Sequence, residues 1–298
     1  MQAAIKIGFC IAYDWYFLRE ALPQVYADAD VILLALDRRR MSWSGKHFEF
    51  DEDGFRTLVK ELDAEGKITL YEDDFFVQGH SPMQNEVRQR NLMAARLGPG
   101  GWHIQLDCDE YFINFAGFVR YLRRLNPKRF QRTNVCCDWI TLFRQVDEGF
   151  LIVSHDHPRQ IERIAIATLS PRYEYGRRNG DRNHFAPFGI VHQSWARSEA
   201  EIATKLSSWG HAHDFDANAF MSFWKSLTRD SATTVRNFHP IHPAVWSRLS
   251  WVAGNTMREV LQHLAQQPHQ GYNAWQRALA NARWINSFRS RLSKLRPK

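Results

Sequence analysis

Apolar residues in the first hundred positions fall in short unbroken runs separated by amphipathic stretches. Residues 5–12 and 31–36 are apolar enough for strands covered by helices on both faces, and the second run closes on Asp37. Between them, residues 15–26 read as a helix interrupted by Pro23; residues 55–62 read as another helix and 67–71 as a third strand. Strand, helix, strand at this spacing predicts the opening of a parallel α/β sheet. Residues 81–97 carry the clearest helix signals: a Ser81 N-cap, Pro82 at the first helical position, Gln84 three residues after the cap, and Gly98-Pro99 as the stop. The apolar run 102–106 follows directly and ends on Asp107-Cys108-Asp109-Glu110.

Beyond Pro127 the pattern changes. Residues 134–145 and 149–154 predict two strands joined around Val146-Asp147-Glu148, and 161–169 a further one. A capping box, Ser198 with Glu201, opens a helix through Ile202, Leu206 and Trp209, and residues 217–227 predict another. The expected architecture is α/β: a mixed, mostly parallel sheet flanked by helices over residues 1–235, then a helical C-terminal extension over 236–298.

Composition narrows the class. With 298 residues, 44% of them hydrophobic, the chain supports one large core or a core with a small appendage. Its 11 Trp and 20 Phe suit a large core and stacking surfaces for flat ligands. The four cysteines show no Cys-x-x-Cys spacing, and no apolar stretch is long enough to cross a bilayer, so a reduced, cytoplasmic setting is expected. The net charge of +7 comes from the tail: after Glu259 there is no acidic residue, while Arg277, Arg283, Arg289, Arg291, Lys294, Arg296 and Lys298 are all basic. A basic tail on a balanced body argues against a nucleic-acid-binding domain. Because Trp275, Leu279, Trp284, Ile285, Phe288, Leu292 and Leu295 recur mostly every three to four residues, the tail reads as a basic amphipathic helix. Two readings stay open for it: packing on the domain, or peripheral contact with anionic lipid at the inner face of the cell membrane.

The Asp-x-Asp at the end of an apolar strand is the most informative chemistry. Two carboxylates so close repel unless a cation sits between them. Hard oxygen donors with open positions point to Mn²⁺ or Mg²⁺ carrying a substrate phosphate, with Asp107 and Asp109 as ligands. Arg88 shares a helix face with Gln84 and Asn91, where a guanidinium can reach phosphates while Asn91 orients them. The His155/His157 and His211/His213 pairs lack a third zinc ligand at a recognisable spacing. No P-loop or nucleophile-elbow motif occurs, and Gly98-Pro99-Gly100-Gly101 leads from helix into strand, the wrong order for a dinucleotide loop.

Taken in order, residues 7–13, residues 31–37, the Arg88-Gln89-Arg90-Asn91 helix and Leu106-Asp107-Cys108-Asp109-Glu110 resemble the nucleotide-sugar-binding half of GT-A (Rossmann-like) glycosyltransferases, specifically the bacterial family 2 type. Farther on, His192-Gln193-Ser194-Trp195-Ala196-Arg197-Ser198, with Glu201 and Lys205, resembles the His-Tyr-x-x-Lys-Ser-x-x-Glu stretch of a bacterial subgroup. The resemblance implies that Tyr13, Asp14, Asp37, Arg88, Asn91, Asp107 and Lys205 meet a nucleoside-diphosphate sugar, and that His192 joins Asp107 and Asp109 at the metal. It further implies a glycan, lipid-linked or other hydroxyl acceptor, as in surface polysaccharide synthesis.

The chain departs from the family in three places, one of them Gln193, where the later motif has Tyr. Tyr13-Asp14-Trp15 stands where Tyr-Asn-Glu is usual, and the family's Glu-Asp base motif has no clean counterpart. For the catalytic base the candidates are Asp214, then Asp216, with Glu110 and Asp138 behind them. Two alternatives stand beside glycosyl transfer: a nucleotidyltransferase using the same metal site, and a non-enzymatic membrane- or nucleic-acid-associated binding protein.

Overall fold

The computed structural model describes residues 3–208, 215–267 and 270–282. Its strands are β1 (Ile5–Ile11), β2 (Val31–Asp37), β3 (Ile68–Asp73), β4 (Trp102–Asp107), β5 (Glu110–Phe112), β6 (Thr133–Val146), β7 (Gly149–Ser154), β8 (Arg163–Thr168), β9 (Arg182–His192) and β10 (Arg248–Ala253). Its helices are α1 (Leu18–Tyr26), α2 (Glu52–Leu62), α3 (Pro82–Leu97), α4 (Phe115–Arg124), α5 (Pro127–Phe130), α6 (Glu199–Ser208), α7 (Ala217–Ser226), α8 (Met257–Gln266) and α9 (Ala274–Asn281). Most are the elements that the hydrophobic runs predict, and α9 falls where the tail pattern from Trp275 begins; β5, β9, β10, α4, α5 and α8 lie beyond that reading.

All the strands join one mixed sheet of order β10-β7-β6-β8-β4-β1-β2-β3, with β9 pairing both β5 and β6. The expected α/β architecture is present. Strands β3, β2, β1 and β4 are mutually parallel, whereas β8 enters antiparallel beside β4 and begins a half of largely antiparallel pairs. In the parallel half β2 is buried from Ile32 to Asp37, as a strand covered on both faces must be. The four parallel strands β1, β2, β3 and β4 stop at the same edge, where ligands of open α/β sheets bind.

The antiparallel half has its own core. Phe143 on β6 is ringed by Trp195, Phe220, Phe223, Phe238 and Trp246, and Trp224 Nε1 donates to the carbonyls of Phe143 and Trp195. Much of the aromatic content is spent here, as packing under α6 and α7.

Residues 236–298 supply more than helices: β10 adds an edge strand to β7. Helix α9 is tied to β9 by Asn281, whose side-chain amide exchanges two hydrogen bonds with the Phe185 backbone. The basic amphipathic stretch from residue 283 onward lies outside the described residues. Among those described, no helix is long and apolar enough to cross a membrane, and all four cysteines are free and buried.

The β7–β10 seam depends on Gly149. A Cβ at this position would run into the Val252 carbonyl and the Trp251 indole, so β10 packs flush against it. Gly149→Ala is expected to cost about 1–3 kcal/mol by overpacking. Urea denaturation checks this, and an unchanged midpoint would show the seam to be looser than drawn.

Candidate functional site

At the carboxyl edge of the parallel strands lies a cavity of about 260 Å³. Its walls include Tyr13 and Asp14 after β1, Asp37 and the following loop to Ser44, Gln89 of α3, Asp107 to Asp109, His192 at the end of β9, Arg197, and Lys205 of α6. Seven sequence-predicted residues therefore share one site: Tyr13, Asp14, Asp37, Asp107, Asp109, His192 and Lys205.

The acidic cluster after β4 is matched by guanidinium groups from three different places. Arg90 of α3 donates through Nη2 to Asp107 Oδ1 at 2.9 Å and through Nε to Glu86 at 2.9 Å. Arg177, in the loop before β9, reaches Asp107 Oδ2 at 2.9 Å and Glu110 Oε2 at 2.8 Å. Arg197 bridges Asp109 Oδ2 at 2.6 Å and Asp14 Oδ2 at 2.9 Å, and lies over the Phe17 ring. Burial opposes ionisation of Asp107, yet Arg90 and Arg177 outweigh it and hold the carboxyl below its usual range. Burial likewise opposes ionisation of Asp109, but His192 and Arg197 leave it well below the usual value. Asp14 goes the other way: burial pushes its carboxyl up despite Arg197.

The opposite wall is built by side-chain amides. Trp43 Nε1 donates to Gln89 Oε1 at 2.6 Å, Gln89 Nε2 donates to the Ala35 carbonyl at 2.9 Å, and Asn85 Nδ2 donates to the Trp43 carbonyl at 3.0 Å. The loop after β2 is thereby clamped to α3, with Trp43 and Met41 lining the cavity. Asp37 belongs to the same clamp. Its oxygens accept from the backbone N–H groups of Arg39, Met41, Phe75 and Phe76, so it organises two loops rather than offering an oxygen to a ligand.

Three predicted residues do other work. Arg88 donates to the Asp74 carbonyl at 3.3 Å and does not line the cavity. Asn91 clips the Tyr173 backbone, donating to its carbonyl and accepting from its N–H, both at 2.9 Å. Glu110 is buried against Arg177 and also accepts from the Asp107 N–H at 3.0 Å, so it is a structural carboxylate turned away from the cavity. Of the other base candidates, Asp216 caps α7, Asp138 pairs with Arg163 at 2.8 Å away from this cavity, and Asp214 lies outside the described residues.

Residues the sequence did not single out include Arg90, Arg177, Arg197, Gln89 and Trp43. Arg90 and Gln89 sit on the buried face of α3 with Asn85, Met93 and Ala94. Polar residues on a core-facing stripe erase the apolar periodicity that would have marked that face.

The expected metal ligands divide. Asp109 Oδ2 and His192 Nε2 approach to 3.4 Å, and the His192 ring is held by stacking on Trp139 at 4.4 Å and 12°. A carboxylate and an imidazole that converge on an open cavity are donors suited to a divalent cation completed by phosphate oxygens, but Asp109 Oδ2 also accepts from Arg197 at 2.6 Å, so the guanidinium competes with a cation for that oxygen. Asp107 does not complete the set, since both of its oxygens are taken by arginines, and no group of three candidate ligands occurs among the described residues. Near Asp109, Lys205 Nζ donates to the Ser194 carbonyl and hydroxyl at 2.8 Å. Burial and the neighbouring Arg197 lower its ammonium to about 8.

No family model matches the chain, and no curated protein matches it. Among solved structures the chain is similar to a mannosyltransferase from Pyrobaculum calidifontis in complex with GDP-Man and Mn²⁺, at 11% identity and a TM-score of 0.32. The match covers 47% of this chain and 36% of that one, about a third of its length.

The charge lattice ranks two neighbouring arginines. Arg90→Ala takes one of two guanidinium partners from Asp107 and the buried partner from Glu86, and is expected to cost about 2–3 kcal/mol, whereas Arg88→Ala stays within about 1 kcal/mol. Chemical denaturation of the two variants checks the order. A larger loss at Arg88 would overturn the assignment of the α3 faces.

Proposed function

We propose that the chain is a metal-dependent glycosyltransferase that moves a sugar from a nucleoside-diphosphate sugar to a hydroxyl acceptor. One observation carries the reading: Arg197 Nη1 is buried in the cavity wall without a hydrogen-bond partner among the described residues, beside the Asp109/His192 pair and Lys205. A buried guanidinium N–H with no acceptor is costly unless a ligand supplies one. Two cations and a carboxylate–imidazole pair around one point make a site for a diphosphate and its divalent ion.

In this reading Asp109 and His192 hold Mn²⁺ or Mg²⁺, which when bound neutralises charge on the departing diphosphate. Arg197 and Lys205 donate to the same oxygens, and preorganised donors of this kind commonly make the largest catalytic contribution. Asp14 keeps Arg197 aimed, because it holds the same Nη2 that bridges to Asp109. The wall formed by Tyr13, Met41 and Trp43 offers flat and apolar surface to a nucleobase. Asp107, fixed by Arg90 and Arg177, anchors the turn that presents Asp109. Asp214 remains the proposed base that takes the acceptor proton. The finer assignments, a family 2-like enzyme of surface polysaccharide synthesis working at the inner face of the cell membrane, rest on the sequence resemblance and on the basic tail.

Asp109→Asn removes the anionic ligand while Asp14 still partners Arg197, so the fold should persist and Mn²⁺-dependent binding of nucleoside diphosphates should disappear. Calorimetric titration with and without Mn²⁺ reads both, and undiminished Mn²⁺-dependent turnover of a nucleotide sugar would sink the reading. Release of pyrophosphate instead of a nucleoside diphosphate would assign nucleotidyl transfer.

Lys205 makes the site sensitive to pH. Its ammonium is lowered to about 8 from 10.5, so the cation is present at neutral pH and lost as pH rises past that value. Affinity for a nucleoside diphosphate should therefore fall above pH 8, by at most about tenfold per pH unit, because one proton is linked to binding. Lys205→Arg keeps its charge throughout this range and should flatten the profile; an equally steep profile in that variant would assign the dependence elsewhere.

A further inference from the structure

Charge on the body is balanced as a sum but not as a surface. From Tyr111 to Cys137 there is no acidic residue, while Arg120, Arg123, Arg124, Lys128, Arg129 and Arg132 are basic. All six are exposed, on α4, on α5 and in the turn into β6. Arg132 pairs with Asp181 at 3.3 Å, and none of the other five has an ion-pair partner among the described residues. We propose that this face, at the end of the sheet opposite the first cavity, docks the folded domain on an anionic lipid surface. It adds a folded contact to a membrane reading that otherwise rests on the tail, and it does not depend on glycosyl transfer.

The helix pattern produces the face. Phe115, Phe118, Val119 and Leu122 turn one stripe of α4 into the core, which leaves Arg120, Arg123 and Arg124 together on the outward side. Clustered cations without counterions create a field that an opposite charge relieves. The rest of the chain does not supply that charge. Arg182 Nη1 donates to the Asn281 carbonyl at 3.4 Å, and the same guanidinium lies 6.0 Å from the Phe130 ring of α5, so α9 ends beside this face. The residues from 283 onward lie outside the described structure; their sequence adds Arg283, Arg289, Arg291, Lys294, Arg296 and Lys298 and no acid. A like-charged segment cannot neutralise the face, so an external anion must. Two features favour lipid over nucleic acid: the apolar spacing of Trp284, Ile285, Phe288, Leu292 and Leu295, and Trp275, which is 70% exposed on α9. Tryptophan beside Arg and Lys is the composition of a bilayer interface.

Strand direction sets the orientation. Strand β9 starts at Arg182, opposite Thr133 of β6, and ends at His192 in the wall of the first cavity. At about 3.3 Å per residue its length separates the two ends by roughly 30 Å. Helix α4 begins beside Gly189, whose carbonyl accepts from the Ile113 N–H at 3.2 Å, and its C-terminal half carries the arginines toward the Arg182 end. Docking through α4 and α5 therefore turns the first cavity away from the lipid and leaves it open to a soluble ligand.

The test uses the full chain and co-sedimentation with phosphatidylcholine vesicles, with and without phosphatidylserine. Arg123→Gln combined with Arg124→Gln should weaken binding to phosphatidylserine vesicles about twentyfold, at about fivefold per basic residue near the surface. Arg38→Gln combined with Arg39→Gln makes the same charge change at the cavity end of β2 and should alter it less than about twofold, because salt screens charges several Debye lengths away. All four native cysteines are buried, so a fluorophore on Gln131→Cys or on Ser44→Cys, both exposed, reports one position each. Emission should shift to the blue on vesicles from residue 131 and not from residue 44. No binding to phosphatidylserine vesicles, equal losses in the two double variants, or a blue shift from residue 44 alone overturns the proposal. If the Arg123/Arg124 variant binds as the wild type does, the tail alone meets the membrane and the face does not. If the chain ignores vesicles but binds a single-stranded oligonucleotide that this variant loses, the face belongs to nucleic acid and the proposal falls. Nucleoside-diphosphate affinity, titrated separately, should be unchanged in the variant, and its absence in the wild type would count against the donor reading alone.

Discussion

Everything at the sheet edge depends on neutralising the acidic turn after β4. Asp107, Asp109 and Glu110 cluster in the interior, where isolated carboxylates would be too costly to keep ionised. Arg90, Arg177 and Arg197 solve this from α3, from the loop before β9 and from the segment after β9. Such buried pairs are weak contributors to net stability, because desolvation takes back most of the Coulomb attraction. What they supply is placement: each guanidinium ties a distant piece of chain to the turn, and together they leave Asp109 beside His192.

That lattice also divides the chemistry. Arg90 and Arg177 consume Asp107, so the positive groups left for a ligand are Arg197 and Lys205, both facing the first cavity. On the far side of Trp139 a second cavity of about 210 Å³ is lined mainly by aliphatic side chains, without Lys or Arg among the described residues. The first cavity therefore favours an anionic ligand. The aromatic core around Phe143 braces this arrangement from below, since Trp195 and Trp224 anchor the stretch from which Arg197 and α6 extend.

The parallel half was legible because β2 is a continuous apolar run, β1 is nearly one, and α3 has an unambiguous capping box. The Asp-x-Asp was legible for the same reason, lying where such a run stops. Strand β9 was not: its Pro187 and Gly189 break any alternation, although β9 pairs with β6 over almost its whole length and delivers His192. Strand β10 escaped because it is a short edge strand whose partner is distant in sequence. Arg88 was singled out on helical spacing and on the family resemblance. The spacing was sound, but the face directed at the sheet is the polar one carrying Asn85, Gln89 and Arg90.

Local sequence therefore determined the strands and helices of the parallel half, where its strands end, and that two carboxylates stand at one of those ends, because these follow from periodicity, capping and short-range charge. The partners of those carboxylates were decided only by the tertiary structure. Asp37 became a clamp for four backbone amides, Asn91 a clip for Tyr173, and Glu110 a buried counterion, while Arg177 and Arg197 arrived from 67 and 88 residues away. A side chain's chemistry is set by what lies within a few ångströms of it. For polar residues in a mixed sheet those neighbours come from strand order and loop packing, which no local pattern encodes.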